Sequence, residues 1–492
     1  MTAVFSIQYN TAWGENLILR CGHSAHAMNY TGDGLWQVTL TGRDIKAGQK
    51  YSYEVMRDGN LLRREWRPHK MLVSEKAGRM EIRDRWIDRP WGSAFFASAF
   101  KDVIFGRNDK GQKDNGGVYK GNVVLRCIAA EVRPHQTLAI AGSGRALGHW
   151  QVFHPMNSAS FPWWEISFDA KEPFEYKFVI VDNVSGVPVL WEEGPNHAVE
   201  AVPGKGCALA LKNVVPKLNT IPWRGAGVAV PVFSLRSKDS FGVGEFRDIK
   251  LLARWAACTG QNLIQLLPIN DTTMTGTWRD SYPYNAVSSF ALHPQFINLP
   301  AAGVKADRAY KKLQAELNAL PQIDYEKVNG AKLDLLRRNF EANQAEITAG
   351  EGYKAFVAAN LEWMLPYAVF SCLRDACGTV DYTRWGGFAV YSKRKAQRYA
   401  DAHPMDVAFW YWLQYQLDVQ LKDAIAYAHS LRVAIKGDLP IGVSPTSVDA
   451  WTHPELFNMD MQAGAPPDAF SADGQNWGFP TYNWDEMAKD GF

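Results

Sequence analysis

The period of the hydrophobic pattern changes once along this chain, near Trp223, and that change limits what the chain can fold into. Before it, apolar and polar residues alternate in short runs: Phe5-Ser6-Ile7-Gln8-Tyr9, Leu35-Trp36-Gln37-Val38-Thr39-Leu40 and Tyr51-Ser52-Tyr53-Glu54-Val55. Turn clusters such as Thr31-Gly32-Asp33-Gly34 separate the runs, the pattern of an all-β sandwich whose strands each bury one face. The same order returns in Val123-Val124-Leu125-Arg126, Leu138-Ala139-Ile140, Trp164-Glu165-Ile166-Ser167-Phe168 and Phe174-Glu175-Tyr176-Lys177-Phe178-Val179, so two copies of one module are expected. Between them, the stretch from Pro90 to Gly121 holds a run rich in Gly, Asp, Asn and Lys from Gly106 to Gly117 and reads as a flexible linker.

Beyond Trp223, Gly227 to Phe233 reads as a buried strand, Glu245 to Cys258 as an amphipathic helix and Asn262 to Pro268 as a second buried strand, which makes a βαβ unit. A helical tract follows from Lys305 to about Leu431, with 3.6-type spacing around Lys332-Leu333-Asp334-Leu335-Leu336, before Val433 to Ile441 returns as a strand. The expected architecture is multidomain: a sandwich over 1–89, a linker over 90–117, a second sandwich over 118–217, and over 218–492 the first part of an α/β barrel with a helical insertion. Barrels gather functional groups at the C-terminal ends of their strands, where Asn270, Asp271 and Asp438 fall.

Charge and composition remove several partner classes. Across 492 residues, 53 Lys and Arg balance 51 Asp and Glu without a concentrated basic run, so nucleic acid and anionic membrane are not expected partners. No stretch approaches the roughly 18 apolar residues of a membrane span, and Met1 to Asn10 lacks a signal peptide's pattern, which places the expectation in the cytoplasm. Six cysteines are too few to staple a chain of this size. Cys21, His23 and His26 have no fourth ligand beside them, so no metal is expected, and Gly142-Ser143-Gly144 is not followed by the helix a dinucleotide site needs. No cofactor is expected. The 19 Trp, 19 Tyr and 24 Phe serve either large cores or flat platforms on which sugar rings can stack.

The second module resembles the starch-binding carbohydrate-binding family in three elements that keep the family's order: Leu147-Gly148-His149-Trp150, Glu175-Tyr176-Lys177-Phe178 and Trp191-Glu192-Glu193-Gly194-Pro195-Asn196. The resemblance implies one glucan site formed by Trp150, Lys177, Trp191 and Asn196, two indole faces clamping glucose rings while the Lys and Asn bond hydroxyls. The alternative is that both Trp residues belong to the sandwich core. The first module departs from the pattern: it has no Leu-Gly-x-Trp, Glu54 stands where the Lys would be, and Trp66 is its one candidate platform.

Residues 218–492 resemble the amylomaltase or disproportionating-enzyme family, the 4-α-glucanotransferases. The match is carried by SLRSKDSFGVG from Ser234 to Gly244, SYPYNAVSSFA from Ser281 to Ala291, GDLPIGV from Gly437 to Val443 and PPDAFSADGQNWGFP from Pro466 to Pro480. Starch-binding modules ahead of such a domain resemble the cytosolic, plant-type branch, which transfers glucose from maltose to branched glucan. The resemblance implies partners among α-1,4-glucans (starch, glycogen, maltodextrin and maltose) and a retaining mechanism through a covalent glucosyl-enzyme. It also implies that Tyr284 lines the donor side, that Asp438 hydrogen-bonds sugar near the cleavage point, and that Trp477 sits on a glucan-covering loop shaped by Asp468 and Gln475. Where the family has Asp-Ser-Ala, this chain has Pro445-Thr446-Ser447.

Retaining transfer needs two carboxyl groups about 5–5.5 Å apart. The family carries its nucleophile in an Arg-x-Asp-His strand, and no such sequence occurs in these 492 residues. The expectation is therefore that nucleophile and acid/base lie beyond Phe492, and that this chain alone binds glucan without turnover. An α-glucan hydrolase and a non-catalytic starch- or glycogen-binding protein are the competing readings.

Overall fold

Alternation becomes strand throughout the first part of the computed structural model, which describes every residue except 43, 44, 90–92, 108–111, 221, 222 and 492. The chain divides into two units, Met1–Arg224 and Gly225–Phe492. In the first unit, Leu17, Leu19 and Cys21 point into the core from Asn16–Cys21, and Tyr51, Tyr53 and Val55 do so from Lys50–Arg57. Each module has one five-stranded sheet of its own and packs it against a second layer built in the same order. In the first module, Thr2–Gln8 pairs antiparallel with Leu35–Thr41 and parallel with the closing strand Arg79–Asp84. In the second, Val123–Ile128 pairs antiparallel with Trp163–Phe168 and parallel with the closing strand Cys207–Val214.

The two closing strands then pair with each other. Arg79–Asp84 runs parallel to Cys207–Val214, with Met80 opposite Ala208 and Ile82 opposite Ala210, so one seven-stranded sheet crosses both modules. Each strand satisfies the backbone groups the other would leave open at a sheet edge. The modules were expected as separate sandwiches; they form one unit.

Side chains at this seam make a wholly buried polar network. Tyr51 and Tyr53 donate their hydroxyls to Asp84 Oδ2 at 2.7 and 2.8 Å, His69 Nε2 lies 2.7 Å from Glu65 Oε1, and His69 Nδ1 lies 3.2 Å from Asp84 Oδ1. From the second module, Lys212 reaches Asp84 at 3.4 Å and donates to the Tyr51 hydroxyl, while Asn213 Nδ2 lies 2.7 Å from His69 Nδ1. Burial alone would push the His69 ring down, but the carboxylates of Asp84 and Glu65 outweigh it and hold the imidazole above its ordinary value. That shift stabilises the fold fully below the unfolded imidazole value of about 6.5 and is lost as pH rises through the higher folded one. Burial holds Lys212 down to about 8, which acts in the opposite sense only above that pH. The melting temperature should therefore fall as pH rises above about 6.5. Differential scanning calorimetry checks this: His69→Gln should flatten the slope, and an unchanged slope would refute the assignment.

The stretch expected as flexible linker is ordered by aromatics in its first half. Ser93–Phe96 and Ala99–Ile104 are helical turns, and Phe95, Phe100 and Phe105 surround Trp223 with ring centroids 5.3–6.3 Å away. Part of the Gly106–Gly117 run, residues 108–111, lies outside the described residues.

In the second unit the βαβ expectation resolves into a three-stranded parallel sheet, Gly227–Val230, Leu263–Leu266 and Ala434–Lys436, with helix Asp248–Cys258 crossing between the first two strands. Among the described residues no further parallel strand joins it, so the coarse α/β arrangement is present without a closed barrel. The helical insertion comprises Arg308–Asn318, Tyr325–Ala349, Glu351–Cys377, Lys393–Ala402 and Pro404–Ser430. Glu351–Cys377 is long and apolar enough to cross a bilayer, yet Met364–Arg374 is buried within the unit, with Tyr367 packed edge-on against Trp410 of Pro404–Ser430. An antiparallel hairpin, Phe457–Ala465 with Gln475–Tyr482, follows the third strand.

Candidate functional site

Two loops emerge from the C-terminal ends of the second and third parallel strands and run side by side. Ser444 N donates to Ala286 O at 3.1 Å and Val448 N to Val287 O at 2.7 Å, while Ser289 N donates to Asp449 Oδ2 at 3.0 Å. Buried carboxylates shape the first loop. Asp271, fully buried, accepts from the Tyr367 hydroxyl and from Thr273 N at 2.8 and 2.9 Å. Asp280 accepts from the backbone N–H groups of Met274, Thr275 and Gly276, folding residues 274–280 around one side chain.

This pairing brings together Tyr284 and Asp438, which are 154 residues apart: the Tyr284 hydroxyl donates to Asp438 Oδ2 at 2.9 Å. That hydrogen bond is also the main cause raising the Tyr284 hydroxyl above its ordinary value. Leu439 N donates to Asp438 Oδ1 at 3.0 Å, which fixes the carboxylate at the strand end while leaving both oxygens with spare acceptor capacity. The Tyr282 ring, exposed, lies 5.7 Å from that of Tyr284. A carboxylate, a phenol and an open aromatic face at strand C-termini suit a polyhydroxylated ligand.

The hairpin residues occupy a separate place. Trp477 donates its Nε1–H to Gln475 Oε1 at 3.0 Å, and Asp468 Oδ1 accepts from Phe470 N and Ser471 N at 2.8 Å, closing the turn that carries Phe470. Phe470 is 97 % exposed. Among the described residues no hydrogen bond joins Asp468, Gln475 or Trp477 to Tyr284 or Asp438. The hairpin touches the Asp438 loop at its base, where Tyr482 donates to Ile441 O and a Cβ on Gly442 would come within 2.7 Å of the Phe479 ring. Sequence reasoning missed Asp280, whose partners include backbone N–H groups that carry no side-chain signal, and Asp449, whose partner Ser289 lies in the SYPYNAVSSFA motif 160 residues away.

In the second module, strand register decides which side chains share a face. Val179 is opposite Trp191 and Ala141 opposite Lys177. Side chains two apart point the same way, so Lys177, Val179 and Trp191 line one face of this sheet. Trp150 packs on that face against Ala139, Ala141, Val179 and Val181, half-buried, while Trp191 is 38 % exposed. Lys177 donates to the carbonyls of Glu192 and Gly194, and Asn196 to Glu175. Phe153, not singled out from sequence, braces Trp191 edge-on at 5.7 Å.

Trp66 is differently placed. The Arg67 guanidinium lies 4.5 Å over its ring and the edge of Phe96 meets it at 5.0 Å, so packing occupies the surface a sugar would need. The open indole of the first module is instead Trp13, 99 % exposed.

A family profile described as 4-alpha-glucanotransferase matches residues 230–492, and one described as starch binding domain matches residues 120–207. A 4-alpha-glucanotransferase of Oryza sativa subsp. japonica is 36 % identical over 536 residues, covering 100 % of this chain and 56 % of that protein. One from Chlamydia pneumoniae is 33 % identical over 272 residues, covering 54 % of this chain and 50 % of its own length. The chain thus spans about half the length of these curated relatives. Among solved structures, amylomaltase from Streptococcus agalactiae in complex with acarbose is similar at 26 % identity and a TM-score of 0.48, covering 55 % of each chain.

Proposed function

This chain belongs to the 4-alpha-glucanotransferase family, and we propose that it serves transfer of glucosyl units between α-1,4-glucans, with its second module holding the glucan. The observation that carries the reading is the Tyr284–Asp438 contact at the strand C-termini within the matched region. Asp438 accepts hydrogen bonds from hydroxyls of a bound glucosyl unit and Tyr284 holds its carboxylate in place, while Trp477, with Asp468 and Gln475 behind it, covers the chain from the hairpin. In the retaining route one carboxylate attacks the anomeric carbon while the leaving sugar takes a proton from a second carboxyl group, and an acceptor hydroxyl then displaces the carboxylate, giving its proton back to that second group. The residues named here bind and orient sugar; none is assigned as nucleophile or acid/base. The cytoplasm is the proposed compartment, supported by six cysteines in 492 residues.

Maltotriose given to a protein carrying these residues separates the readings. Transfer yields glucose together with chains longer than maltotriose; hydrolysis yields glucose and maltose alone and would overturn the transfer reading. Under the competing reading, glucan binding without chemistry, the products stay unchanged while binding persists.

For the second module, the Trp150→Ala, Trp191→Ala pair should weaken β-cyclodextrin binding by about tenfold or more, since each stacked ring contributes about 1 kcal/mol beyond its buried area. Isothermal titration of the folded double variant measures this, and an unchanged Kd removes both residues from the site.

A further inference from the structure

A cleft of about 800 Å³ opens in the Gly225–Phe492 unit, lined from the two paired loops by Ser288, Phe290, Val448 and Asp449. That volume lies within the roughly 300–1,000 Å³ of small-molecule sites. We infer that this cleft is an accessory α-1,4-glucan subsite, one that grips a glucan chain beside the Tyr284–Asp438 site; the inference rests on the glucan reading above.

The cleft's floor is an aromatic platform. The Phe290 and Trp363 rings lie nearly parallel, 13° apart with centroids at 5.8 Å, and Phe290 is 62 % exposed. Phe290, stacked on Trp363, presents an exposed apolar surface within a cleft, of the kind that marks ligand-binding grooves. Around it stand groups suited to sugar hydroxyls: the Asp449 carboxylate, the exposed His453 ring, the Gln397 amide and the Tyr391 hydroxyl. A lipid or an apolar peptide would offer these rim groups no hydrogen bond, whereas a hydroxylated chain can add to those they already make to Ser289, Asp401 and Glu455. A glucosyl chain offers C–H faces to the rings and hydroxyls to the rim.

Position argues the same way. Phe290 and Asp449 sit on the two loops that carry Tyr284 and Asp438, and Asp449 ties those loops together through both carboxylate oxygens, to Ser289 N at 3.0 Å and to the Ser289 hydroxyl. The cleft and the candidate active site are therefore built on the same pair of tied loops.

Hydrogen exchange on the full chain, read by mass spectrometry with maltoheptaose or cellohexaose added, tests the inference. Maltoheptaose should slow exchange in peptides covering 288–293, 361–366 and 449–453, and cellohexaose should not. Phe290→Ala, and independently Gln397→Ala on the exposed side of its helix, should raise the half-saturating maltoheptaose concentration for those peptides about fivefold or more, leaving protection of the Trp191 peptides unchanged. Protection around Trp191 and Asp438 with none in the cleft would overturn this subsite and leave the glucan reading standing. Equal protection by cellohexaose, or protection unaffected in both variants, would overturn it as well. No protection anywhere would overturn the glucan reading itself.

Discussion

Replacing Asp84 by alanine is expected to destabilise the Met1–Arg224 unit by about 3–5 kcal/mol, the loss typical when one partner of a buried ion pair is removed. Asp84 is the hub of the seam: it receives two tyrosine hydroxyls, faces His69 and compensates Lys212 from the other module. Without it, Lys212 is left as a buried cation over the Tyr51 ring, and the two hydroxyls lose their acceptor. Lys212 sits on the strand that joins the modules, so the cost falls on their union as well as on the first core. Urea unfolding followed by tryptophan fluorescence measures the loss. Adding Lys212→Met to Asp84→Ala should recover part of it, because the orphaned charge goes too; a single variant within 1 kcal/mol of wild type would refute the role given to the network.

The seam also shows where sequence stops being legible. Arg79-Met80-Glu81-Ile82-Arg83-Asp84 reads as a half-buried strand, and it is one. Its partner across the modules lies about 130 residues on, and nothing in a period-two pattern specifies which strand edge a parallel neighbour takes. The repeat was readable because alternation and turn chemistry are local; the fusion of two copies into one sheet was not. Composition misled at the linker: the Gly- and Asp-rich run outweighed Phe95, Phe96, Phe100 and Phe105, four aromatics that bury themselves against Trp66 and Trp223.

Tyr284 and Asp438 were legible as members of two motifs, but their contact spans the whole helical insertion, and only the parallel sheet brings the motifs together. Trp66 illustrates the opposite failure, since an aromatic in a polar turn looks like a platform until Arg67 and Phe96 are seen to occupy it. Asp280 and Asp449 were invisible because carboxylates that organise backbone need no fixed spacing to their partners.

Lys332→Met should cost the Gly225–Phe492 unit a similar amount, about 3–5 kcal/mol. In the helical pattern Lys332 passes for a solvent-side lysine, yet its side chain is buried with that of Glu245. Its ammonium donates to Glu245 Oε1 at 2.6 Å and to the carbonyls of Gln295 and Ile297 at 2.7 Å each. Glu245 in turn accepts from Asn298 Nδ2 at 2.7 Å. One cation thus pins the start of helix Asp248–Cys258 to the segment that follows the Tyr284 loop, and methionine fills its volume without supplying any of its three donors. Circular dichroism at the helical minimum reports this unit selectively, because the α-helices among the described residues lie in it. The double variant Lys332→Met, Glu245→Gln should recover at least about 1 kcal/mol by removing the uncompensated carboxylate. Strictly additive losses in the two single variants would mean that the pair does not act as a pair, and that the segment after the Tyr284 loop is held by packing alone.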